Sequence, residues 1–365
     1  PKIKEFAAFL LEIMNYLGNM EEKLKYGVNI DLANDTKKHI AKELETDEKR
    51  VLNKVGAFSS LFDIRFPEYK NPVLVLKTEE PGSKQLLAME HDRIESVCFD
   101  MINHLINDCI VMGATPLAIQ DAIICGKLDS NIIKRCVKAM AQACRAQECV
   151  LTGGETSEQP GVINEGTYIL TSSIVGIVDQ EDIIDGSKIA IGDCVLAVES
   201  SGIHTNGYTL VRDILSRHKE IENETVGNQS FMDAVLEPHR CYYKAVKDLF
   251  PGKKIHGLAH ITGGGIKENL NRILPDTMDA EIDLSKYNPL PVFKILKKYG
   301  NVEDEEMIRT FNLGVGMTVV TDPQYKEEII WHFQEQGINC YEIGTIVSGN
   351  KKVNTINTLD WEKNT

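Results

Sequence analysis

In both halves of this chain, β-rich apolar runs alternate with helical patterns, and glycine clusters stand between them. That alternation calls for packed layers of mixed helix and sheet, an α/β (α+β) class, and disfavours an all-helical bundle or an all-β sandwich. In the first half, residues 72–76 (PVLVL) read as a buried strand and 95–112 as a helix. Asp129 and Ser130 can cap a second helix, in which Ile133, Val137, Met140 and Cys144 recur at helical spacing. Residues 150–152 form a short strand expected to break at Gly153-Gly154, and 168–178 (YILTSSIVGIV) a long one. The polar segment 185–188 is a natural boundary. Beyond it, strands are expected at 194–198, 315–320 and 341–347, and helices at 208–218, 267–274 and after Asp322-Pro323. With 365 residues, two domains are expected.

Composition narrows the function. No apolar run approaches the ~18 residues of a membrane span, so no membrane partner is expected. A net charge of -14 repels a phosphate backbone and argues against nucleic-acid binding, while leaving room for a small anionic substrate at a local site. Nine cysteines include no C-x-x-C pair, which fits small buried thiols in a reducing cytoplasm. Near the amino terminus, the apolar run from Phe6 ends at Glu12, too short for a signal peptide. Phe6, Leu10, Ile13, Met14 and Leu17 instead suggest an amphipathic helix within an extension over residues 1–25.

Four segments could carry chemistry. On the helix at 95–112, Asp100, His104 and the pair Asn107/Asp108 share one face among apolar neighbours, where carboxylates are costly to bury without a partner such as a divalent cation. Residues 151–161 put Gly153, Gly154 and Glu155 after a strand. Residues 200–208 (SSGIHTNGY) and 260–266 (HITGGGI) are small-residue loops leading to helix starts, where backbone N–H groups suit anions. No Walker A sequence, dinucleotide fingerprint or H-E-x-x-H motif is present.

Taken together, these segments resemble phosphoribosylformylglycinamidine cyclo-ligase, also called aminoimidazole ribonucleotide synthetase. The resemblance runs through residues 26–31 (YGVNID), 107–117 (NDCIVMGATPL), 126–129 (GKLD), 153–156 (GGET), 200–208, 260–265 and 309–317 (RTFNLGVGM). It implies a two-domain fold: an ATP-binding and dimerisation domain over 26–184, whose sheet forms a barrel across a homodimer, and a mixed α/β substrate domain over 185–350. A polar tail, 351–365, would follow. The implied reaction is ATP-dependent cyclisation of formylglycinamidine ribonucleotide to aminoimidazole ribonucleotide through an iminophosphate, in purine biosynthesis.

By the same resemblance, Glu79, Gly82, Ser83, Lys84, Asp100, Gly153, Gly154 and Glu155 would bind ATP, and Glu79, Asp100, Asp108 and Glu155 would hold Mg²⁺. Ser201, Gly202, His204, Asn206, Thr262, Gly263, Gly264 and Gly265 would bind the phosphoribosyl substrate. Asp100, Asn107, His204 and Lys84 would be catalytic. The chain departs from the family at 77–84 (KTEEPGSK), where the family usually reads GTDGVGTK, and at 56–61 (GAFSSL), where it reads GGFGAL. His104 replaces a residue that is commonly Met in the family. A competing reading follows from these departures: a non-catalytic or re-purposed relative that keeps the fold and dimer with impaired ATP binding.

Overall fold

The computed structural model describes residues 30–53 and 55–363. The expected helix near Phe6 and the first residues of the resemblance, from Tyr26, lie outside the described residues.

The first half opens with α1 (Ile30–Glu43) and builds a four-stranded sheet from β1 (Pro72–Glu79), β2 (Thr115–Cys125), β3 (Val150–Glu158) and β4 (Tyr168–Asp179), in the order β1-β4-β2-β3. Three helices join these strands: α2 (Lys84–Glu90), α3 (Ile94–Ile110) and α4 (Ser130–Ala146). β2 and β3 run parallel, with α4 crossing between them, and β4 is antiparallel to both neighbours. Asp129 caps α4 as its position suggests, accepting from the N–H groups of Asn131 and Ile132. The buried stripe Ile133, Val137, Met140 and Cys144 faces the core. Among the described residues the sheet of one chain is open, with β1 and β3 at its edges.

The second half builds a six-stranded sheet from β5 (Cys194–Glu199), β6 (Ile255–His260), β7 (Met278–Asp283), β8 (Val315–Thr321), β9 (Cys340–Ser348) and β10 (Val353–Ile356), in the order β10-β7-β9-β5-β8-β6, and a short separate ribbon pairs Thr225–Val226 with Gln229–Ser230. Its helices include α5 (Tyr208–Arg217), α6 (Gly265–Leu270) and α7 (Lys326–Glu335). β5 and β8 sit in the middle of the sheet and are almost wholly buried.

Two expectations change. Gly153 and Gly154 do not end their strand, which continues to Glu158. Gly154 lies opposite Asp121, whose backbone oxygen would come within 2.3 Å of an added Cβ, so a glycine is needed for strand packing. The polar tail also contributes structure: residues 353–356 pair in parallel with β7 as an edge strand.

Candidate active site

Almost every residue of α3 is buried, its polar face included. That face does not look into solvent or an open cleft; it grips a loop of the second half. Asp100 accepts from the His239 N–H at 2.7 Å. Asn103 donates to the His239 carbonyl. Asn107 receives the Tyr242 N–H and donates to the Arg240 carbonyl. Three side chains spaced one turn apart thus satisfy the backbone of 239–242, which has no sheet or helix partner there. Asn107, expected to orient phosphates, is a clamp.

Lys84 begins α2 and is completely buried. Its ammonium lies 2.8 and 3.0 Å from the two Asp100 oxygens and donates to the carbonyls of Glu237 and His204. The ammonium has three donors, and these partners use them all. Burial raises Asp100 to about 6 and lowers Lys84, yet the charged pair is the form that satisfies this geometry. Asp100 is therefore neutralised within the protein, where an Mg²⁺ ligand was expected.

Lys84 also ties the first half to the loop at 200–206. His204 adopts a left-handed backbone (φ +65) that non-glycine residues rarely hold, a strain of order 1–3 kcal/mol that the surrounding contacts maintain. Its Nε2 accepts from the Ser201 N–H, and its ring stacks on His239 with centroids 3.8 Å apart. Ser201 is anchored on the Pro238 carbonyl, and Asn312 holds the carbonyls of Gly202 and Ile203.

The glycine loop meets this one. Asn206 Oδ1 would stand 3.1 Å from a Cβ at Gly263, and Asn269 binds the carbonyls of Gly263 and Gly265, with its Oδ1 accepting from Thr262. Gly264 and Gly265 both have positive φ. Gly82, in the 80–83 turn beside Ser83, approaches the Thr205 carbonyl, 3.6 Å from an added Cβ. Three loops, near 82, 204–206 and 263, converge here.

The four carboxylates expected to share a metal ion do not converge in one chain. Glu79 lies in register with Ser172, Asp121 and Gly154 across the sheet, so Glu155 is three strands away, roughly 14 Å at the usual strand spacing. Next to Gly154, it is on the opposite, exposed face. Glu79 and Asp108 are brought together through Lys77, whose ammonium is 3.0 Å from the first and 3.2 Å from the second. Asp108 also accepts from His260 Nδ1 at 2.7 Å and faces His104 Nε2 at 3.6 Å. Two imidazoles and an ammonium are a poor setting for Mg²⁺, which prefers oxygen. The side chains around Asp108 do not fit that ion.

Electrostatics follow from burial. Burial lowers His104 to about 4, with nearby His260 acting in the same direction, and holds His204 and His239 well below the usual imidazole range. Burial pushes the Asp108 carboxyl upward, but the His260 hydrogen bond and nearby cations reverse this and hold it low.

Sequence reasoning missed His239 and Asp121. His239 lies in the loop 236–240 (LEPHR), which has no periodicity to mark it. Asp121 sits between Ile119 and Ile123 on the inward face of β2, where alternation predicts an apolar residue. Burial raises it to about 7. A cavity of about 330 Å³ at the seam of the halves, lined in part by Tyr69, Lys188, Lys247 and Phe250, is separate from all these loops.

The architecture and sequence have clear relatives. Structures of a thiamine-monophosphate kinase from Stenotrophomonas maltophilia (TM-score 0.63, 14% identity, 90% of this chain and 96% of that one) and of E. coli HypE, a hydrogenase maturation protein (0.64, 16%, 90% and 96%), share the fold. A HypE structure in complex with ATP does so as well (0.61, 16%, 92% and 93%). Residues 65–178 match the AIR synthase related protein N-terminal domain, and residues 190–356 match its C-terminal domain. The phosphoribosylformylglycinamidine cyclo-ligase of Nitrosococcus oceani is 39% identical over 322 residues, covering 88% of this chain and 90% of the relative. That of Chromobacterium violaceum is 40% identical over 324 residues, covering 88% and 93%. With identity at this level over 88% of the chain and both domain matches in place, the chain belongs to the phosphoribosylformylglycinamidine cyclo-ligase family.

Proposed function

We propose that the chain is an ATP-dependent cyclo-ligase that closes the imidazole ring of aminoimidazole ribonucleotide from formylglycinamidine ribonucleotide. The observation that carries this reading is the match of about 40% identity over 88% of the chain to curated cyclo-ligases. The convergence of the 204–206 and 263–265 loops agrees with it. No comparison favours the non-catalytic reading.

Bound ATP supplies the phosphoryl group that turns the amide oxygen into a leaving group; positioning and charge neutralisation are left to the protein. On this reading the backbone of 263–265, with Asn206 and Ser201, receives the substrate phosphate. The neutral imidazole of His204, its Nδ1 without a partner, faces the reacting end as a hydrogen-bonding group. Lys84 and Asp100 position the loops through the 204 and 237 carbonyls rather than touching phosphates. The turn carrying Glu79, Gly82 and Ser83 forms the nucleotide side. Gly153, Gly154 and Glu155, on the distant edge strand, join that side only if a second copy brings its sheet against this one. A homodimer and a cytoplasmic location complete the proposal. Nine free cysteines, eight of them buried, suit a reducing compartment, and no described helix is long and apolar enough to cross a membrane.

The test is incubation of the full chain with ATP and formylglycinamidine ribonucleotide, following ADP release and aminoimidazole ribonucleotide by mass spectrometry. Stoichiometric formation of both supports the reading. Failure to bind ATP analogues at millimolar concentration in calorimetry, in a folded chain, overturns it in favour of a re-purposed relative.

A further inference from the structure

Around Asp108 the chain assembles a donor set of a different kind from the oxygen-rich one that the resemblance implies. His104 Nε2 stands 3.6 Å from one Asp108 oxygen, and His260 Nδ1 stands 2.7 Å from the other. Two donors on a shared ion at about 2.0–2.1 Å lie about 3.0–3.4 Å apart, so both separations need shifts of only a few tenths of an ångström. At 3.6 Å, His104 Nε2 makes no hydrogen bond to Asp108. Its Nδ1 is already engaged with Thr205 Oγ1 at 3.0 Å. With the proton on Nδ1, the Nε2 lone pair faces a carboxylate, an arrangement that favours a cation between them.

Both imidazoles also have the outer partners that metal-bound histidines require. A ligating histidine donates its other ring N–H to a fixed acceptor. Thr205 serves His104, and His239 Nε2, 2.9 Å from His260 Nε2, serves His260. His239 Nδ1 is buried without a partner among the described residues, so His239 can carry its proton there while accepting from His260. The neighbouring trio His204, His239 and His260 offers no carboxylate to offset a dication's charge.

We propose that His104 Nε2, His260 Nδ1 and the Asp108 carboxylate, through its two oxygens, form a two-histidine, one-carboxylate seat for a first-row transition dication such as Mn²⁺, Fe²⁺, Co²⁺ or Zn²⁺, all three groups lying within 4.8 Å of one another. The Lys77 ammonium, between Asp108 and Glu79, places at this carboxylate a positive charge of the kind such an ion would supply. Nitrogen donors favour these ions over Mg²⁺. Lys77 is partly exposed and bridges Asp108 to Glu79, so its side chain can swing away when a dication enters.

The test uses the tag-free full chain, stripped with chelator, without nucleotide or substrate, so its result is independent of cyclo-ligase turnover. Co²⁺ titration should give saturable visible d–d absorption at one ion per chain, and calorimetry should show Co²⁺ and Mn²⁺ binding more tightly than Mg²⁺. His104→Met should weaken Co²⁺ by about tenfold or more while leaving Mg²⁺ unchanged. Lys77→Met, at a partly exposed site where folding is not at risk, should tighten Co²⁺. No saturable absorption, equal affinity for Mg²⁺ and Co²⁺, or a Co²⁺ affinity unmoved by both substitutions would overturn the proposal.

Discussion

Asp121, on the inward face of β2, and Asp100, on α3, are both buried carboxylates, and their partners give them opposite consequences. Among the described residues Asp121 has no cationic partner, and burial raises it from 3.8 to about 7. A carboxyl raised on folding binds more protons in the native state, so its contribution falls as pH rises from about 4 through 7. Asp121→Asn should therefore stabilise the chain at pH 8 by an amount on the order of 4 kcal/mol at most, and leave it nearly unchanged at pH 4. Urea unfolding at the two pH values reads this directly, and equal effects at both would contradict it. Asp100 instead depends on Lys84. Lys84→Met leaves a buried charge unpaired and should cost about 3–5 kcal/mol. Combining it with Asp100→Leu should recover part of that loss, because the double change removes the uncompensated charge as well.

At the level of elements, the periodic ones were legible and the aperiodic ones were not. The apolar stripe of α4 and the long run of β4 stand within a residue or two of where spacing places them. The polar face of α3 was also visible, but the partners of Asp100, Asn103 and Asn107 lie in residues 239–242, a loop without pattern, so their clamp on backbone groups could not be read from the helix alone. Gly153-Gly154 misled for a related reason: the demand for glycine comes from Asp121 on the neighbouring strand, which one segment cannot reveal. The turn at 80–83 departs most from the family pattern, and Glu80 is exposed there. Its charge and side chain oppose an incoming polyphosphate, so Glu80→Gly should tighten binding of an ATP analogue several-fold in calorimetry. An unchanged affinity would mean that the nucleotide does not approach this turn.

The largest scale concerns what the open sheet of the first half leaves uncovered. Val73 and Val75 pack inward against the core, while Leu74 and Leu76 on the other face of β1 are 53% and 70% exposed. Ile169 on β4 is exposed on the same outer face. Apolar side chains repeating on one side of a sheet with free edges ask for a cover, and a second copy presenting the same face supplies one by two-fold symmetry. That arrangement would also bring Glu155, on the same face, toward a partner's sheet, and so account for nucleotide-side residues that do not meet within one chain. Leu76→Arg places an unpaired charge in such an interface and should convert dimers to monomers in sedimentation velocity, with the far-UV circular dichroism unchanged because the position faces away from the core. If the interface completes the nucleotide side, ATP-analogue affinity should fall in step with dimer fraction as the protein is diluted. A chain that sediments as a monomer at all concentrations, yet binds the analogue fully, would place the whole nucleotide site within one protomer.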